Sequence, residues 1–158
     1  MEPQIGALIQ QIEYEVNRRL AQRRALIGEI EQLGAAASRA RSLAGLSQLI
    51  NHAHSVASSA AGEQEVVAAL DRVKAATEAR RHTISGLLTE VNQVADHALV
   101  AKSIGEAEQL LADAQRRASA YPELDDLQEI IVRVSAQVRG RRVEHDLICE
   151  ELSSLRCV

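Results

Sequence analysis

Arg19, Arg80 and Arg141 stand at equal intervals along the chain (80 − 19 = 61; 141 − 80 = 61), and sliding the sequence on itself by that interval aligns positions 19–91 with 80–152 without a gap. Of the 73 aligned pairs (91 − 19 + 1 = 73), 18 are identical, among them Leu26/Leu87, Glu29/Glu90, Gln48/Gln109, Arg72/Arg133 and Val73/Val134. Roughly a third of that number would match by chance in so Ala-rich a chain. Other pairs exchange one apolar residue for another: Ile30/Val91, Leu43/Ile104, Ile50/Leu111. Self-similarity of this period marks a helical array in which each repeat is packed by its neighbours. The array divides into repeats 1–61 and 62–122 and a partial third, 123–158.

An apolar seam with alternating spacings of four and three runs through Ile5, Ile9, Ile12, Val16, Arg19, Arg23, Leu26, Ile30 and Leu33. It returns from Val66 to Val94 and again from Leu127 to Leu155, each time with an arginine at its centre. Over four heptads that spacing predicts long helices using one stripe, at about 3–34, 63–99 and 123–156. Between them lie shorter stripes, Leu43 to Ala57 and Ile104 to Ala118, which read as return helices. Ser103 with Glu106 has the spacing of a capping box, and Pro122 suits a first helical position. Gly45 stands where the first return would need the capping carboxylate, which leaves that start weakly marked. The fold class is therefore all-α, with long, short, long, short and long helices.

Unequal lengths set the expected shape. A long helix of ~35 residues climbs about 52 Å and a return of ~17 residues descends about 25 Å, so each repeat advances by roughly 27 Å. The long helices are then staggered, each using its second half in one three-helix bundle and its first half in the preceding one. The expected outcome is a rod of about 100 Å. This layout resembles the spectrin-type triple-helical repeat, in which one helix runs on between units and a middle helix returns. The tryptophan characteristic of that family is absent, and no residue role is carried over from it.

Composition narrows the function classes. Apolar residues make up 46% of the chain, yet there is no Phe or Trp and only Tyr14 and Tyr121 are aromatic. Small aliphatic side chains suit narrow seams between helices, and a wide core normally needs aromatic volume. A net charge of −4 spread along the chain, with no aromatic stacking platform, argues against a nucleic-acid partner. No apolar run reaches the ~20 residues of a membrane span, and residues 1–11 do not read as a signal peptide. Cys149 and Cys157 lie about 12 Å apart along one helix, too far to pair with each other, so a reduced, cytoplasmic protein is expected.

No catalytic, cofactor or metal site is expected. His52 and His54 are two apart and face different sides of a helix, and His82, His97 and His145 lack a partner at ligand spacing. Cys149 aligns with Ile27 and Leu88 and reads as a small buried hydrophobe; His145 on the seam reads as a core-edge residue. The Ser55, Ser58 and Ser59 cluster has no base to activate it, and no phosphate-binding or nucleophile-elbow motif occurs. The arginine layer reads as seam arginines paired with an acid one turn away: Glu15 with Arg19, Glu78 with Arg81, Glu144 with Arg141. On that reading Arg80→Leu is neutral or mildly stabilising.

The ends carry the functional expectation. In the stagger, Ile5, Ile9, Ile12 and Val16 precede any helix that could cover them, and Ile148, Leu152 and Leu155 follow the last return. Apolar stripes several turns long point to protein partners and to self-association. A non-enzymatic scaffold or spacer is the leading expectation. The alternative is a compact helical adaptor or chaperone-like subunit holding a partner's amphipathic helix. Reversible lipid binding ranks third, because the flanks of the stripes mix acids with bases.

Overall fold

The computed structural model describes residues 2–156, with side chains from Gln4 onward; Cys157 lies outside the described residues. The chain is all-α: helices α1 (Glu2–Ala37), α2 (Leu43–Ser58), α3 (Gln64–Val100), α4 (Ile104–Ser119) and α5 (Asp125–Arg156) follow one another, with no strand among the described residues. Their lengths of 36, 16, 37, 16 and 32 residues alternate long and short. The two short helices begin and end at the interval of the sequence repeat (104 − 43 = 61; 119 − 58 = 61).

The chain divides into two compact units: Met1–Ala40 with Ala44–Arg81, and Arg41–Leu43 with His82–Val158. The division on α3 falls directly after Arg80 and Arg81, at mid-helix, whereas the boundary of the sequence repeat falls in the preceding turn. In the first unit Ile30 of α1, Ala53 and Ala57 of α2, and Val66, Ala69 and Val73 of α3 form one buried cluster, flanked by Leu26, Leu33, Ile50 and Leu70. In the second, buried positions come from α3 (Val91, Ala95, Ala98), α4 (Ala107, Ala114, Ala118) and α5 (Leu127, Ile130, Val134, Val138). Alanine on the short helices lets the long ones approach closely, which is how a core forms here without aromatic residues.

Local chemistry fixes the short helices. Ser103 caps α4: its Oγ accepts from the Glu106 N–H at 3.1 Å, and the Glu106 carboxylate accepts from the Lys102 N–H at 3.2 Å. Helix α2 has no carboxylate at that position, and Asp126 supplies one from α5, its Oδ2 accepting from the Leu43 N–H at 2.8 Å. The segment Arg41–Leu43 is held to the second unit by that bond, by Arg41 donating to Asp125 Oδ1 at 2.7 Å, and by the Asp125 N–H donating to the Arg41 carbonyl at 3.0 Å.

Both short helices are followed by a turn at the same register, with the Glu63 N–H bonded to the Ala60 carbonyl and the Leu124 N–H to the Tyr121 carbonyl. The chemistry of the two turns differs. Gly62 takes φ +96° at the third position, as a type II turn requires, and Pro122 supplies the fixed φ of the second position in the other. Pro122 thus belongs to the turn and is not the first residue of α5, which starts at Asp125 once the Tyr121–Leu124 bond has closed.

Candidate docking surface and arginine layer

Arg80 lies half-buried on α3, and its guanidinium donates from Nε and from an Nη to the Ala40 carbonyl at 3.1 and 3.0 Å. Arg141, half-buried on α5, donates to the carbonyls of Ala98, Leu99 and Ala101 at 3.1, 2.9 and 2.7 Å. Ala40 and Ala101 are themselves one repeat apart (101 − 40 = 61), and each is 8% exposed. In both units, then, the seam arginine of one long helix donates to carbonyls where the preceding long helix ends: beyond its last residue in the first unit, and in its last turn and just beyond it in the second, where the helix dipole also favours a cation. The expected pairing of Arg141 with Glu144 does not occur, because those carbonyls take the guanidinium. The pairs Glu15–Arg19 (3.1 Å) and Glu78–Arg81 (3.1 Å) are present.

Arg19 occupies the same register on α1 but differs in environment. Its side chain is 77% exposed and bonded to Glu15, which also takes Arg18 at 2.8 Å. Hydrogen bonds from Arg18 and then Arg19 hold the Glu15 carboxyl below its ordinary range.

The two parallel long helices of a unit keep a fixed register. In the first unit, Arg23 approaches Glu65 at 3.3 Å, Arg72 donates to Glu31 at 2.9 Å, and Arg80 reaches Ala40. The offsets are nearly constant (65 − 23 = 42; 72 − 31 = 41; 80 − 40 = 40). In the second unit Arg141 meets Ala101 at the same offset (141 − 101 = 40).

Outside these three-helix stretches the seam is open. On α1, Ile5, Leu8, Ile9, Ile12 and Val16 are all about half exposed, and on α5 so are Leu147, Ile148 and Leu152, with Leu155 more so. Their counterparts on α3 are covered: Val66 and Val73 are 1% exposed and Val91 is 2%. Cys149 and His145 share the open stretch. Both are exposed, so neither the buried hydrophobe nor the core-edge histidine expected at these positions is present: burial needs a neighbour, and among the described residues none covers α5 at these positions. Cys149 Sγ lies 3.9 Å from His145 Nδ1 and 3.8 Å from Nε2, within the longer range of hydrogen bonds to sulfur, on an open helix face. Among the described residues no group of three or more His, Cys, Asp or Glu side chains could hold a metal ion.

One polar feature was not visible in the sequence. Arg19, Arg23, Leu26, Ser59, Ala60 and Glu63 line an open cleft of about 330 Å³ in the first unit, where Arg23 Nε is buried without a hydrogen bond and leans on Glu65 and Glu63. The second unit places Ile84 and Leu124 at the positions of Arg23 and Glu63, and both are fully buried. The signal that could have revealed this is the exchange of an ion pair for an apolar pair across the repeat.

Among the described residues no helix is long and apolar enough to cross a membrane. No family model matches the chain, and neither a curated protein nor a solved structure matches it.

Proposed function

We propose that this chain is a non-enzymatic structural protein, a tandem array of staggered three-helix units that acts as an elongated spacer and associates with protein partners, its own copies first, through its two terminal half-helices. The observation that carries the proposal is the contrast in the seam: apolar positions buried on α3 at Val66, Val73 and Val91 recur at Ile5, Ile12 and Leu152 in the open. Apolar stripes of several turns left in water are the usual mark of an interaction surface. The matched ends of α2 and α4 and the matched roles of Arg80 and Arg141 support reading the chain as a repeat array. An exposed free thiol at Cys149 fits a reducing, cytoplasmic setting.

Removal of residues 1–16 tests the association. Sedimentation equilibrium is expected to show concentration-dependent assembly of the full chain and a monomeric truncation with its helical signal otherwise retained. A full chain that stays monomeric at tens of micromolar would contradict the proposal, as would a truncation that melts the whole protein, since α1 would then belong to one cooperative core.

A further inference from the structure

Resting on the array reading above, we infer that the partner of the α1 stripe is the second half of α5 from another copy, docked parallel and head-to-tail in the register that α1 and α3 keep within the chain. Shifting by whole repeats maps the long-helix part of the first unit's core onto the two ends. Ile30 corresponds to Leu152 (30 + 122), while Val66, Ala69 and Val73 correspond to Ile5, Leu8 and Ile12 (each − 61).

Every substituted position is apolar and none is smaller, so the pair of half-helices carries more aliphatic volume than the long-helix part of that core, in a joint that has no short middle helix. The polar flank also fits. The Arg72–Glu31 pair corresponds to Gln11 and Ser153, two exposed uncharged residues that oppose each other without repulsion. An isologous pairing of two α1 stripes has no counterpart in either unit. Each copy offers one α1 end and one α5 end, so the contact is heterologous and copies add head-to-tail.

Single-cysteine variants test both polarity and register. In a background with Cys149→Ala and Cys157→Ala, one protein carries Leu8→Cys and another Leu152→Cys, the counterparts of Ala69 and Ile30, which stand at the offset at which a Cβ on Gly34 would meet Val73 (69 − 30 = 39; 73 − 34 = 39). Both positions are about 55% exposed in the single chain, so neither change removes a packed side chain. Under mild oxidation the mixture is expected to form the mixed disulfide at least tenfold faster than either protein forms its own dimer, and replacing Leu152→Cys with Ser154→Cys, on the opposite helix face, should remove that preference. Faster self-dimerisation of the Leu8→Cys protein would overturn the inference in favour of paired α1 stripes. Equal yields with Leu152→Cys and Ser154→Cys, in a protein that sediments as an oligomer, would overturn the register and leave self-association standing. A background protein that sediments as a monomer at all concentrations, as the unmodified chain does alongside it, would remove both readings.

Discussion

Arg80 donates two hydrogen bonds to the carbonyl oxygen of Ala40, three residues past the end of α1. The same contact recurs one repeat further on, between Arg141 and Ala101. A charged residue on an apolar seam is costly unless its donors are used, and here the backbone carbonyls where the preceding long helix ends accept from them. Arg141 therefore caps the last turn of α3 from a different helix, Arg80 ties down the backbone just beyond α1, and the place of each at mid-helix follows from where the preceding long helix stops.

Removing the Arg80 contact should cost stability, contrary to the neutral outcome expected for Arg80→Leu from the sequence. Arg80→Met keeps the stem and deletes the donors, and is expected to lower stability by about 1–2 kcal/mol, discounted for partial exposure. Arg141→Met should behave alike. Arg19→Met, which loses only an exposed ion pair, should change stability by less than about 0.5 kcal/mol. Urea denaturation of the three variants separates them; equal effects for Arg19 and Arg80 would mean that the carbonyl contacts contribute nothing.

Two glycines should respond oppositely to alanine. Gly62 has φ +96°, where a Cβ is strained, so Gly62→Ala is expected to cost about 1 kcal/mol. Gly34 sits inside α1, and a Cβ there would lie 3.2 Å from Val73 Cγ2, a contact that a small side-chain shift relieves. The second unit carries alanine at the equivalent position, Ala95, fully buried. The gain in helix propensity then dominates, and Gly34→Ala is expected to stabilise by up to about 1 kcal/mol. Thermal melts in opposite directions are the expected result.

Glu15 gives a pH signature. Its folded carboxyl pKa lies below the unfolded value, so its pairing with Arg18 and Arg19 is fully present above the unfolded pKa and is lost as pH falls through the folded one. An NMR titration of the Glu15 side chain should show the low midpoint, and Arg18→Met, which removes the largest cause, should move it up more than Arg19→Met.

The periodic parts of this structure were legible in the sequence. The seam through Ile30, Val73 and Val134 identified long helices, and Ser103 with Glu106 marked the start of α4, because both signals are local spacings. The cap of α2 was not legible, since its carboxylate is Asp126, 83 residues away (126 − 43 = 83), and no local pattern announces it. The acceptors of Arg141 were missed for a related reason. Backbone carbonyls carry no residue identity, and the only trace is that Ala40 and Ala101 are both alanine. Cys149 and His145 occupy seam positions that are apolar elsewhere, but a seam position states which face a residue is on and not whether a neighbour covers it.

The staggered array is tested most directly by small-angle X-ray scattering on the Ile9→Asp variant, whose charge at mid-stripe opposes association without touching either buried core. A compact chain of this length has a radius of gyration of about 15 Å, and a staggered rod has roughly twice that. A value of about 30 Å, with a maximum dimension of about 100 Å, is the expected result. A value of about 15 Å would contradict the array and return the chain to the compact helical adaptor.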